Sequence, residues 1–287
     1  MKRLADALKP SADADLFLLG IPYDDASSFM KGPAEGPSAI REAFHSSSSN
    51  LWTELGVDLG ETGRLADLGD VDFPEGEDPI CRIEEAVDLM LEYPAVPVFL
   101  GGDHSVTFPI VKGFSKQFDR LTILHFDAHP DLYDLLDGNS YSHACPFARI
   151  MENDFAYRLV QVGIRAMTGH QREQVDRFGI ETIEMRELDL NFIDFLTSPL
   201  YISFDMDALD PAFAPGVSHH EPGGLSTRQV IDMIHAVKAR LVGADIVELN
   251  PGRDPSGVTA MAAAKLLKEI MGVAVMQRKK APPPVSK

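Results

Sequence analysis

Three short polar clusters contain the residue types able to do chemistry. They are Gly101-Gly102-Asp103-His104, Asp127-Ala128-His129-Pro130-Asp131 and Asp205-Met206-Asp207. Each follows an apolar run: Val96-Pro97-Val98-Phe99-Leu100, Leu121-Thr122-Ile123-Leu124-His125-Phe126 and Tyr201-Ile202-Ser203-Phe204. In extended chain, side chains two apart share a face. Asp127, His129 and Asp131 can therefore converge, as can Asp205 and Asp207. Two imidazoles and four carboxylates in one pocket repel each other unless cations neutralise them. His104, Asp127, His129, Asp131, Asp205 and Asp207 are thus the expected ligands of two divalent metal ions. Any one of them alone would read as a helix cap or turn residue; six in three strand-end clusters point to metal. Oxygen and imidazole donors without thiolate suit Mn²⁺, Ni²⁺ or Co²⁺, and Zn²⁺ less distinctively. Asp103 is expected in a turn or supporting role, and His125 as a hydrogen-bonded core histidine.

The elements that must position these clusters alternate along the chain. Strands are expected at Leu16–Leu19, Val96–Leu100, Leu121–Phe126, Leu159–Ile164, Leu200–Phe204 and Leu241–Val247. Helices are expected at Pro37–Phe44, Pro79–Leu91, Val106–Phe114, Cys145–Met151, Gln171–Phe178, Thr227–Val237 and Val258–Met271. Near-continuous apolar strands between helices predict an α/β protein whose parallel sheet is covered on both faces. In such sheets ligands bind beyond the carboxyl ends of the strands, where all three clusters fall. No repeat or linker divides the chain, so residues 1–276 read as one domain. The polar, proline-rich residues 277–287 read as a flexible tail.

Bulk properties narrow the partners. A net charge of -18 argues against nucleic acid and anionic membranes and suits a small cationic substrate. Cys81 and Cys145 form neither a metal-spaced pair nor a disulfide framework. They read as reduced thiols, Cys81 in the core of a helix. No apolar run reaches the roughly 20 residues that span a bilayer, and no secretory signal is evident. A cytoplasmic protein is expected.

Gly101-Gly102-Asp103-His104-Ser105, Asp127-Ala128-His129-Pro130-Asp131 and Ser203-Phe204-Asp205-Met206-Asp207-Ala208-Leu209-Asp210-Pro211 resemble the ureohydrolase family, the arginases, agmatinases and their relatives. The similarity runs from about Phe17 to Lys268. Tyr141–Met151 and Pro211–Leu225 look particularly like the plant-type arginases. The resemblance implies a three-layer α/β/α sandwich, a homotrimer or homohexamer, and two Mn²⁺ ions, with Ni²⁺ as the alternative. It makes Asp127 and Asp205 the bridging carboxylates, His143 the proton shuttle and Glu248 the guanidinium-binding residue. An imidazole with an ordinary pKa of about 6.5 suits proton transfer near neutrality. A carboxylate can grip a planar guanidinium through two parallel hydrogen bonds.

Departures from the family pattern concern the far end of the substrate. Tyr133 stands where animal-type arginases carry Asn, and Thr168 where they hold the substrate's α-amino group with Asp. Val217-Ser218-His219-His220-Glu221 replaces their Gly-Thr-Gly-Thr-Pro, and plant-type enzymes usually lack the histidine at His220. Tyr133, Thr168, His219 and His220 are therefore the expected substrate-tail residues beside Glu248, with His219 placed to meet a carboxylate. The implied reaction cleaves a guanidino compound into urea and an amine. L-Arginine leads, ahead of agmatine and of smaller guanidino compounds including free guanidine. The readings from other classes are a non-catalytic partner subunit of the same fold and a one-zinc deacetylase on a related fold. Neither needs six ligands together with His143 and Glu248.

Overall fold

The computed structural model, which describes residues 13–61 and 64–280, has eight strands, six of them built from runs rich in Leu, Ile, Val and Phe. They are β1 (Leu16–Ile21), β2 (Leu65–Asp70), β3 (Val96–Gly101), β4 (Thr122–Phe126), β5 (Arg158–Ile164), β6 (Glu181–Glu184), β7 (Leu200–Asp205) and β8 (Leu241–Val247). They form one sheet in the order β2-β1-β3-β8-β7-β4-β5-β6, with every pairing parallel. The helices are α1 (Gly36–Phe44), α2 (Pro79–Leu91), α3 (Thr107–Ser115), α4 (Pro146–Glu152), α5 (Gly169–Phe178), α6 (Thr227–Ala236) and α7 (Val258–Lys280).

Alternate strand residues feed two cores. Leu16, Leu18, Leu124 and Phe126 pack with α1, α6 and α7 on one face. Phe17, Leu19, Ile123 and Tyr201 pack with α2, α3 and α4 on the other. The result is the three-layer α/β/α sandwich. Helix α2 shows the local logic: the Asp78 carboxylate accepts from Ile80 N, Pro79 opens the first turn, and Ile83, Ala86, Val87 and Met90 are buried at helical spacing. Burial of Ile83, Val87 and Met90 stabilises by about 1.5–3 kcal/mol each. Cys81 does not join them. It lies off this buried stripe and is exposed, contrary to the expectation of a core thiol.

Strands β2 and β6 were not expected from the sequence. Both are sheet edges with part-exposed, acidic sequences, Leu-Ala-Asp-Leu-Gly-Asp and Glu-Thr-Ile-Glu, so no apolar run marks them. Charges there discourage pairing with other chains. Helix α7 runs on to Lys280, through the first four residues expected to begin the tail. Gln277 is held there, its side-chain amide donating to Ala239 O at 2.9 Å and its Oε1 accepting from Leu241 N at 2.8 Å. The rest of the expected tail, 281–287, lies outside the described residues. Among the described residues no helix is long and apolar enough to cross a membrane.

The sheet order makes β3, β8, β7 and β4 four adjacent central strands, and their carboxyl ends open on one side. Gly102 ties two of them together. Its carbonyl accepts from Glu248 N at 2.8 Å, and a Cβ on it would sit 1.8 Å from the Tyr23 carbonyl oxygen.

Candidate metal centre and substrate cavity

The six expected ligands converge at these strand ends in two overlapping groups. His104 follows β3, and its Nδ1 lies 3.3 Å from Asp127 Oδ2, 3.1 Å from Asp131 Oδ2 and 3.2 Å from Asp205 Oδ2. His129 Nδ1 lies 3.4 Å from Asp127 Oδ1 and 3.1 Å from Asp207 Oδ2. Asp127 thus turns one oxygen to each group. Asp205 ends β7 and spends Oδ1 on Asp207 N at 2.8 Å, leaving Oδ2 toward His104. Asp131 takes a left-handed backbone, φ 52°, which turns the chain back so that its carboxylate rejoins the cluster.

The proton positions on His104 show what this cluster lacks. Asp245, buried on β8, accepts from Ser203 Oγ at 2.7 Å, Tyr201 OH at 2.8 Å and Thr107 Oγ1 at 3.0 Å. Ser203 directs its hydroxyl hydrogen at Asp245, so at 3.0 Å its oxygen accepts from His104 Nε2. That leaves His104 Nδ1, fully buried and without a hydrogen-bond partner, facing three carboxylates. Burial opposes charge on this ring, but Asp127, Asp131 and Asp205 outweigh it and raise its pKa well above the ordinary value. An imidazole lone pair among anions is repulsive unless a cation sits between them. The shifted pKa values carry the same demand for positive charge. Burial, then Asp207 and Asp127, push the Asp205 carboxyl well above its ordinary range. Burial alone would lower His129, but Asp207 and Asp127 lift it to about 12. The residues present therefore fit divalent cations.

His125 behaves as expected of a core histidine. Its Nε2 donates to Asp127 Oδ2 at 2.8 Å and its Nδ1 accepts from the Gln161 amide at 3.0 Å. Burial holds it neutral, with its pKa lowered. Asp103 caps the turn at His104–Val106 through Ser105 N and accepts from Ala26 N and Ser27 Oγ, fastening residues 24–28 against the site.

Above the cluster, His143 and Glu248 meet. His143 Nδ1 is 2.9 Å from Glu248 Oε1, which also accepts from His104 N at 3.0 Å. Glu248 has φ 63°, a left-handed conformation that costs a non-glycine residue on the order of 1–3 kcal/mol and points its carboxylate off the end of β8. Burial opposes charge on His143, but Glu248, Asp131 and Asp103 outweigh it and raise its pKa to about 9. Its other nitrogen, Nε2, is 2.9 Å from Ser28 Oγ.

These groups floor and wall a cavity of about 440 Å³. Tyr133, Thr168 and His219 line it as expected. Tyr133 stacks on His170, with ring centroids 5.8 Å apart. The His219 ring lies 5.3 Å from that of His143 and 6.0 Å from that of His129. Two expectations need correction. Thr168 borders the cavity, but its hydroxyl is engaged in a reciprocal cap with Gln171 at the start of α5. His220 is not part of the cavity: it is exposed, and its Nε2 donates to Pro215 O at 2.7 Å. Neighbours in an irregular loop diverge, and the sequence carries no period to say which one faces in. Ser28, Gln171 and Glu221 also line the cavity and were missed. Each stands outside the three clusters with no spacing signal.

An all-parallel α/β/α fold with a paired carboxylate–imidazole cluster at its central strand ends defines a metal-dependent hydrolase. The Arginase family sequence model matches residues 14–272, and the chain belongs to that family, hydrolases that act on linear amidines through a binuclear metal site. It is 48% identical over 278 residues to "Arginase 1, mitochondrial" of Arabidopsis thaliana, covering 90% of this chain and 81% of that one. The solved structure of arginase from Medicago truncatula superposes with a TM-score of 0.87 at 46% identity, covering 92% and 88% of the two chains. Guanidinobutyrase of Pseudomonas aeruginosa is 32% identical over 293 residues, 95% of this chain and 91% of the relative. The plant relatives overturn the cytoplasmic expectation, since the Arabidopsis and Medicago arginases are named as mitochondrial enzymes.

Proposed function

We propose that this chain hydrolyses L-arginine to urea and ornithine, with His104, Asp127, His129, Asp131, Asp205 and Asp207 holding two divalent cations. Mn²⁺ is the leading ion and Ni²⁺ the alternative. The observation that carries the reading is the His143–Glu248 pair, set on the cavity wall directly above the two carboxylate–imidazole groups. The plant arginases among its relatives favour arginine as the substrate. Residues 1–276 acting as one domain, and assembly into a homotrimer or homohexamer, belong to the same proposal.

Resonance makes a guanidinium carbon a poor electrophile. When bound by His104, Asp127, His129, Asp131, Asp205 and Asp207, two divalent cations would lower the pKa of water enough to supply a nucleophile near neutrality. Glu248 holds the guanidinium. With Oε1 shared between His143 and His104 N, Oε2 is the oxygen left for the substrate, and the grip fixes the carbon over the floor of the cavity. When the carbon–nitrogen bond to the alkyl chain breaks, the departing nitrogen needs a proton. His143, bonded to Glu248 and Ser28 on the cavity wall, is placed to deliver it.

Urea release measured over arginine, agmatine, 4-guanidinobutyrate and free guanidine, with Mn²⁺ and Ni²⁺ supplied separately, tests this. Arginine should give the highest kcat/KM. If free guanidine outperforms it, the substrate assignment is wrong while the hydrolase stands. Metal analysis should find two ions per chain; one ion would favour a deacetylase-like site, and none a non-catalytic subunit. One observation favours agmatine as a second substrate: among the described residues no Lys or Arg lines the cavity, so no ammonium or guanidinium group of the protein is offered to a substrate α-carboxylate.

A further inference from the structure

We infer that Glu221 is the specificity-determining residue of the cavity, a carboxylate that receives a second positive charge at the far end of the guanidino substrate. This rests on the proposed function and extends it from the reacting end to the tail.

Every other acid bordering the cavity already has a partner. Asp131, Asp205 and Asp207 face His104 or His129, and Glu248 is bonded to His143 and to the His104 backbone. Glu221 borders the same cavity, half-buried, and its carboxylate has no ion pair or hydrogen bond among the described residues. Its backbone is held in place. Arg165, at the end of β5, donates to Glu221 O through Nε at 2.9 Å and Nη2 at 2.6 Å. The same guanidinium donates to Asp207 O at 2.7 Å and to Gly163 O at 3.0 Å. Arg165 spends its donors on main-chain carbonyls, so it fixes the Glu221 loop to the metal-site turn without neutralising the Glu221 charge.

The location follows from those bonds. Arg165 immediately precedes Ala166, Met167 and Thr168, which line the same cavity as Glu221 and Glu248, and its guanidinium holds the Glu221 carbonyl. Thr168 has its hydroxyl committed to Gln171, so it offers no free acceptor to an ammonium group. A carboxylate without a partner among the described residues, bordering a cavity whose described lining has no Lys or Arg, selects a cationic tail. The arginine α-ammonium and the terminal amine of agmatine both qualify. A tail bearing only a carboxylate, as in 4-guanidinobutyrate, is repelled.

The test uses the Mn²⁺-loaded full chain and Glu221→Gln, which keeps size and hydrogen bonding but removes charge. The parent should prefer arginine and agmatine over 4-guanidinobutyrate. In the variant, kcat/KM for both cationic-tail substrates should fall by about 10-fold or more through KM, with kcat nearly held. Activity on 4-guanidinobutyrate should stay level or rise, and Glu221→Lys should raise it further. A merely structural Glu221 would lower all three together, and that result, or unchanged arginine kinetics, overturns the inference while leaving the hydrolase intact. A parent that cleaves no guanidino compound removes the proposed function, and this inference with it.

Discussion

At the scale of single residues, the site turns on one carboxylate and one imidazole with different duties. Asp127 offers an oxygen to each of two clusters, so Asp127→Asn should remove metal from both. Elemental analysis should show the loss, with urea release abolished and the far-ultraviolet circular dichroism unchanged. Two retained ions and normal turnover would falsify the ligand assignment. His143 touches no expected ligand side chain within hydrogen-bond distance and bonds instead to Glu248 and Ser28. His143→Asn should therefore keep its metal and lose kcat by roughly 10²–10⁴-fold. The two variants separate holding cations from moving protons. Much of this was legible in the sequence, because Asp and His two apart at the end of an apolar run have one obvious use. Glu221 and Ser28 were not, since an isolated Glu or Ser in a loop looks the same whether it faces a cavity or water. His220 was misplaced for the same reason.

At the scale of elements, α5 tests whether Thr168 serves the helix or the substrate. Its hydroxyl and the Gln171 side chain satisfy each other's backbone donors at the helix start. Thr168→Ala should destabilise by about 1 kcal/mol, seen as a lower thermal midpoint, with kcat/KM for arginine nearly unchanged. A large kinetic defect with normal stability would return Thr168 to the substrate. The central strands were readable because burial on both faces demands continuous apolar sequence. The edge strands β2 and β6 lack that demand, and only pairing with β1 and β5 makes them strands. Helix α7 overran its expected end because Val273, Ala274 and Val275 stay buried beyond Met271.

At the scale of the whole molecule, the carboxylate cluster should make stability depend on metal. Stripping cations with a chelator should lower the thermal midpoint, and Mn²⁺ should restore it; free ion at 100 times its Kd contributes about 2.7 kcal/mol. Acid sensitivity has a second source at Glu54. Arg228 and Lys265, reaching it from α6 and α7, hold its carboxyl down to about 2. A depressed pKa stabilises the fold above the ordinary carboxylate value and loses that contribution as pH falls toward the folded one. Glu54→Gln should thus melt earlier than the parent at pH near 7, and the gap should close as pH falls from about 4.5 toward 2. A gap that widens in acid would reverse the sign. The sheet order carries one more consequence, for synthesis on the ribosome. The chain completes β1–β3 and β4–β6 as two blocks, and β7 and β8, which join them, are made last. The β4 edge stays open until β7 emerges, by residue 205, and the β3 edge until β8 emerges, by residue 247; open apolar edges are the kind of surface that pairs with the wrong neighbour. The nascent protein must therefore be shielded late in translation, and a chain truncated before β7 should be captured by chaperones or aggregate.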